Sequence, residues 1–187
     1  MSRTRWSGRL CYLAALSTVV PILTVHAAAQ KYETGIQITG LHLHKIDEAP
    51  FGIGGRFHYN VTPLVAADLE LTHYPENSSG NFGETAALFG IRAGRRFDRI
   101  GIFGKGRPGV MHFGGDYFKL RLDQRTHFIM DFGGIVEYYL SKRAFVRLEA
   151  GDTTIYYGAA KLFNRINPDA LGTVHNFQPA LGVGFIF

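Results

Sequence analysis

The sequence predicts an all-β fold, an eight-stranded antiparallel up-and-down transmembrane β-barrel. Three observations predict it. Apolar and polar residues alternate with a period of two in one segment after another, which puts them on opposite faces of a strand. The breaks between the segments are alternately short and long. The polar faces carry charges of both signs that strand pairing would match.

The alternating segments span residues 32–43, 51–61, 65–73, 85–97, 100–113, 127–140, 144–156 and 177–187. Each supplies about the 9–11 residues that a tilted strand needs to cross a hydrocarbon core, or slightly more. Thr62-Pro63-Leu64, Asp98-Arg99 and Ser141-Lys142-Arg143 are tight turns, whereas HKIDEAP, YPENSSGNFG, GGDYFKLRLDQRT and GAAKLFNRINPDALGTVH are longer. An even strand number with short turns at one end and long polar loops at the other describes a barrel of an outer membrane. A soluble eight-stranded barrel shows the same alternation, but it turns its polar face to water. The distribution of charge decides between the two.

In the first segment the alternation slips after Gly40, which suggests a bulge. In the second, Phe51, Ile53, Phe57, Tyr59 and Val61 share one face, and Gly52, Gly54, Arg56, His58 and Asn60 share the other. In the third, Val65, Ala67, Leu69 and Leu71 oppose Ala66, Asp68, Glu70 and Thr72. A hairpin with Val61 opposite Val65 sets Arg56 across from Glu70, His58 across from Asp68 and Phe57 across from Leu69. A one-residue slip would satisfy neither face. The fourth and fifth segments turn Arg92, Lys105 and Arg107 to the polar face as neighbours. Like charges side by side need acids on either flank, and Asp68, Glu70, Asp131 and Glu137 provide them. In the sixth and seventh, pairing Leu140 with Ala144 sets Glu137 opposite Arg147 and Tyr138 opposite Val146, and Glu149 adds a further acid. In the eighth, Phe177, Pro179, Leu181, Val183, Phe185 and Phe187 are apolar, while Gln178, Ala180, Gly182, Gly184 and Ile186 are mostly small.

Balanced charge is what a low-dielectric interior requires, whereas a solvated surface has no such need. Glycines interleave the charges on the polar face, among them Gly90, Gly94, Gly101, Gly109, Gly133 and Gly151. An eight-stranded barrel is just wide enough for side chains to fill, so long Arg and Glu side chains need small neighbours. The reading is therefore a polar, closed interior and a greasy outside. Aromatic residues gather near strand ends: Tyr59, Phe97, Tyr138 and Phe187 by the short turns, and Phe51, Phe113, Phe128, Tyr156 and Phe177 by the long loops. Two such belts suit the membrane–water interfaces. Strict alternation leaves Arg95 and Asp152 on the lipid face, both near a strand end.

Arg3, Arg5 and Arg9 precede the short apolar run CYLAALSTVVPILTV and the small residues Ala27-Ala28-Ala29. This is the pattern of a secretory signal peptide over residues 1–29, with cleavage between Ala29 and Gln30 and a barrel domain over residues 30–187. The apolar run is shorter than the roughly 20 residues of a spanning helix. The leader holds Cys11 and Trp6, the only residues of their types, so no disulfide framework is expected in the remainder. It also holds three of the twenty Lys+Arg and none of the fifteen acids, so the net charge falls from +5 to +2. The high pI is partly a property of the leader, and no nucleic-acid partner is expected.

In its alternating strands the chain resembles the small OmpA/OmpX-type outer-membrane barrels of Gram-negative bacteria. The stretch IGIFGKGRPGVMHF is similar to a fifth-strand segment that recurs in outer-membrane β-barrel domain proteins. The resemblance implies a monomeric barrel in outer-membrane lipid and lipopolysaccharide, with both mature termini periplasmic. It further implies that Phe187, with Phe185, is an address read by the barrel-assembly machinery. No peptidoglycan-binding domain follows the barrel pattern, so that function does not carry over.

Some small barrels hydrolyse or transfer lipid acyl groups, which needs a serine near a histidine that an acid orients. Ser78, Ser79 and Ser141 fall in a loop and a turn, and His73 with Glu76 offers only a loop constellation. His42-x-His44 is a weak metal spacing, so no enzyme activity, metal or cofactor is expected. A narrow porin-like channel is the second alternative, but balanced charges in so small a bore favour a plug. What remains is an envelope scaffold or a surface-loop binding or adhesion module. Lys119, Arg121, Arg125, Lys161 and Arg165 make two loops mildly basic, suited to lipopolysaccharide phosphates or another acidic surface ligand.

Cleavage after Ala29 is expected to yield an exported chain beginning at Gln30. Mass spectrometry of protein from the envelope checks this, and a membrane-anchored form retaining Met1 contradicts it.

Overall fold

The computed structural model describes residues 31–44, 49–75, 83–114, 125–157, 161–162, 165–166 and 172–187. Its strands are β1 (Tyr32–Gly40), β2 (Phe51–Asn60), β3 (Val65–Tyr74), β4 (Glu84–Arg96), β5 (Ile100–Phe113), β6 (Thr126–Tyr139), β7 (Ala144–Tyr156), β8 (Lys161–Leu162), β9 (Arg165–Ile166) and β10 (Thr173–Ile186). Eight of them close into an antiparallel barrel in the order β1-β10-β7-β6-β5-β4-β3-β2. The short β8 and β9 pair with each other inside the last long loop, where the alternation gave no sign of a strand.

Hydrogen bonding across every seam is what allows such a wall to stand in lipid, because no water is there to satisfy a free amide. The final seam joins β1 to β10, with Ile36 opposite Val183. Beyond the strand ends, Phe187 donates its N–H to Tyr32 O at 2.9 Å and accepts one from Tyr32 N at 3.5 Å. The tight turns hold the hairpins in register. Phe97 N donates to Ile100 O at 2.7 Å, and Leu140 N donates to Ala144 O at 3.0 Å. The hydroxyls of Thr62 and Ser141 accept from the backbone of Val65 and Ala144.

The registers expected from side-chain matching are those observed. Arg56 faces Glu70, Phe57 faces Leu69 and His58 faces Asp68. Glu137 faces Arg147, and Tyr138 faces Val146.

Two expectations are corrected. No bulge follows Gly40: Thr39 pairs with Ala180, and His42 pairs with Phe177 in the same register. The apparent slip arises because Leu41 and Leu43 point inward although apolar, and both are buried. Phe113 likewise points inward and is fully buried, so it is not a lipid-belt residue. The other belt aromatics are exposed on the outside, from Phe51 and Phe177 at the loop end to Tyr59 and Phe187 at the turn end. Asp152, on the outer face, accepts a hydrogen bond from Thr154 Oγ1 at 2.6 Å and pairs with His175 Nδ1 at 3.0 Å.

Because Phe187 is tied to Tyr32 through its backbone, the ring and the residue have separable roles. Phe187→Ala keeps both ladder bonds and loses only part of the roughly 1.5–3 kcal/mol of a fully buried Phe. Deleting Phe187 also removes two hydrogen bonds at about 0.5–1.5 kcal/mol each, so it loosens the seam further. Denaturant unfolding in detergent micelles is expected to rank wild type above Phe187→Ala and Phe187→Ala above the deletion.

Candidate functional site: the barrel interior

Inward residues come from alternate positions of all eight strands, and they fall into layers along the bore. Near the short turns lie Glu33, Arg96, Phe103, Tyr139 and Phe145. The Arg92 guanidinium sits 4.7 Å from the centre of the Phe103 ring, a cation–π contact in a dry site. Glu33 is fully buried and accepts from Arg92, Arg96 and Asn60. Its carboxylate gathers β1, β2 and β4 at one point.

The middle layer is the charge cluster. Arg107, fully buried, reaches four acids: Asp131 at 2.5 Å, Glu70 at 2.8 Å, Asp68 at 3.4 Å and Glu149 at 3.5 Å. Lys105 bridges Glu149 at 2.9 Å and Asp131 at 3.0 Å. Glu149 also pairs with Arg56 and Arg147. Arg147 Nη1 lies 2.9 Å from His58 Nε2, and that nitrogen lies 3.2 Å from Asp68. Arg92 donates to Glu137 at 2.5 Å, as does the Tyr139 hydroxyl. The structure therefore brings Arg56, His58, Asp68, Glu70, Arg92, Lys105, Arg107, Asp131, Glu137, Arg147 and Glu149 together in one network.

The partners are not the ones that hairpin pairing alone suggests. Arg56 stands 3.5 Å from its strand neighbour Glu70 but contacts Glu149 across the bore more closely. Glu137 and Arg147 are 3.5 Å apart, and each has a nearer partner. Side chains this long cross a narrow lumen, so pairing is set by height along the bore as much as by adjacency in the sheet. Small residues make the room. A Cβ on Gly133 would lie 2.4 Å from Ala150 O and 3.0 Å from Lys105 Cε.

Two charged members were missing from the sequence reading, Glu33 and Arg96. The signal for Glu33 was present: Glu33, Gln37 and Thr39 share the inward face of β1. Arg96 lies two residues from Gly94 on the inward face of β4, beside the outward Arg95.

Above the charges runs a layer of neutral polar groups. Gln37 Nε2 donates to Thr72 Oγ1 at 3.2 Å, and Gln178 Nε2 donates to Thr39 Oγ1 at 3.3 Å and to the Tyr74 hydroxyl at 3.2 Å. Above these, Leu41, Leu43, Leu88, Met111, Phe113, Ile129 and Ile155 pack into an apolar cap at the long-loop end. At the loop end the lining is mostly apolar, with Glu84 and His127 also buried there, which corrects the expectation of a uniformly polar bore. The alternation could not show this, since an inward apolar residue looks like an outward one that has slipped phase.

A hydrogen-bonded ring of eight strands, apolar outside and lined by buried side chains within, defines a small transmembrane β-barrel of the kind found in outer membranes. The chain belongs to the outer membrane protein beta-barrel domain family, whose profile matches residues 15–187. Among solved structures it is similar to Neisserial surface protein A (NspA), at 16% identity and a TM-score of 0.53, over 85% of this chain and 98% of that one. It is also similar to the N-terminal β-barrel domain of Pseudomonas aeruginosa OprF, at 16% identity and a TM-score of 0.50, over 83% of this chain and 97% of that one. At these identities the likeness is one of fold. No curated protein matches the chain.

The shared partners set the expected energetics. Arg147→Met is expected to cost about 3–5 kcal/mol by leaving buried carboxylates undercompensated. The coupling of Arg147 to Glu149 should exceed its coupling to Glu137, because Glu149 is the nearer partner. Double-mutant cycles from denaturant unfolding in micelles check the order. The reverse order would mean that the cross-strand pair dominates.

Proposed function

We propose that the protein is a closed envelope scaffold whose long loops form a binding or adhesion surface outside the cell. The observation that carries this is the double seal of the bore, a balanced ion-pair layer below a buried apolar cap. A conducting path needs water along its length. Here Arg107 and the acids around it would have to be stripped of their partners, and the cap would have to part. Each step costs several kcal/mol, so the scaffold reading is stronger than the narrow-channel one.

On this reading the leader over residues 1–29 is removed, the chain lies in the outer membrane as a monomer, and both termini and the short turns face the periplasm. Phe185 and Phe187, on the outer face of β10, serve as the assembly address for the barrel-assembly machinery. The loop cations Lys119, Arg121, Lys161 and Arg165, whose side chains lie outside the described residues, would together with Arg125 meet lipopolysaccharide phosphates or an acidic surface ligand. No site for acyl-transfer or hydrolytic chemistry is part of this reading.

Planar bilayers containing the refolded barrel are expected to show no steady conductance. In intact cells, a cysteine placed in the loop at Ser79 should react with a membrane-impermeant maleimide, and one at Ser141 should not. A stable open channel would overturn the scaffold reading. Labelling at Ser141 alone would invert the topology.

A further inference from the structure

The net charge of the barrel is concentrated at one rim. The interior network balances, with Arg56, Arg92, Arg96, Lys105, Arg107 and Arg147 against Glu33, Asp68, Glu70, Asp131, Glu137 and Glu149. At the short-turn end, Lys31, Arg95, Arg99, Lys142 and Arg143 are exposed against one acidic side chain, Asp98. That rim alone carries +4, more than the +2 of residues 30–187, so the rest of that span is net negative.

The charge is also unevenly spread around the rim. Arg95 and Arg99 flank the β4–β5 turn, and Lys142 and Arg143 form the β6–β7 turn. These turns are side by side, because Tyr139 N at the end of β6 donates to Arg99 O at 2.9 Å. The β2–β3 turn, Thr62-Pro63-Leu64, carries no charge, and Val61 and Leu64 are exposed there. The basic arc stands on stiff backbone. Ile186 N donates to Arg143 O at 2.9 Å, and the Ser141 hydroxyl accepts from the amides of Arg143 and Ala144. Arg95 projects from the lipid face with its guanidinium 5.8 Å from the centre of the exposed Phe97 ring. An arginine beside a belt aromatic at the edge of an apolar wall is placed at headgroup depth.

We propose that this arc is a docking site for the phosphate headgroups of anionic phospholipid, seated between the β4–β5 and β6–β7 turns. The guanidinium fork matches phosphate oxygens, and such contacts strengthen near a membrane surface. The leaflet concerned is the periplasmic one, which rests on the topology proposed above. The headgroup contact itself does not depend on it.

The test uses the processed protein refolded into nanodiscs of equimolar phosphatidylglycerol and phosphatidylcholine, with the lipid retained on the released barrel counted by native mass spectrometry. Both leaflets then have one composition, so the result is independent of topology, which the maleimide experiment decides separately. The wild type should retain phosphatidylglycerol preferentially. Arg95→Gln/Arg99→Gln/Arg143→Gln should lower that preference roughly fivefold or more, given the attraction of each basic residue to an anionic surface. Arg99→Gln/Arg143→Gln, confined to exposed turns, serves if the triple variant lacks heat-modifiable mobility, and should lower it in part. Lys31→Gln, on the same rim but beside the end of β2 and outside the arc, should lower it less than Arg99→Gln/Arg143→Gln does. Undiminished preference in folded rim variants, or an equal loss in Lys31→Gln alone, would overturn the proposal.

Discussion

The structure depends first on the closure of the backbone ladder. In a hydrocarbon medium a free strand edge exposes a row of amides that nothing solvates, so a sheet can stand there only as a ring. Tyr32 and Phe187, far apart along the chain but adjacent at one rim, complete that ring by exchanging backbone hydrogen bonds. Once the ring is closed the register of each hairpin is no longer independent. The height of every inward side chain is fixed relative to all the others. That is why residues as distant in sequence as Glu33 and Arg92, or Arg56 and Glu149, meet inside.

The interior follows from this geometry and from the small bore. An arginine cannot leave for water, so its partners must be carried by other strands at the same height. Arg107 shows the consequence. Its acids come from β3, β6 and β7, and no single hairpin could supply them. A buried pair is weak evidence for stability by itself, and breaking one is expensive. The network is better understood as a specifier of the closed form. A slip of one residue at any seam would turn one strand's charges into lipid and leave its former partners exposed to each other.

The sequence made the hairpins legible because both sides of the argument are local. Period-two alternation gives the faces, a tight turn gives the register, and opposite charges confirm it, as at His58 with Asp68. Contacts across the lumen were not legible in the same way. They depend on the order of strands around the ring and on side-chain length, and neither is written in a single hairpin. Glu33 was lost for this reason, being an acid whose arginines, Arg92 and Arg96, both lie on β4, three strands away around the ring. Leu41, Leu43 and Phe113 were misplaced for a different one. The rule that polar means inside holds where charges fill the bore, and it fails at the loop end, where the filling is mostly apolar.

The two kinds of filling also make the ends of the barrel physically independent. A ligand held by the long loops would act first on the cap, in which Tyr74, Met111, Phe113 and Ile155 are all buried to 1% exposure or less. A close-packed cluster of this kind moves between discrete arrangements and does not yield gradually. Beneath it, any displacement would have to separate ion pairs in a low dielectric, as between Lys105 and Asp131 at 3.0 Å. Small shifts at the loops would thus be absorbed before reaching the turns. The wall therefore isolates its two rims, so that on the proposed reading recognition at the loop end and headgroup contact at the basic arc of the turn end would not disturb each other.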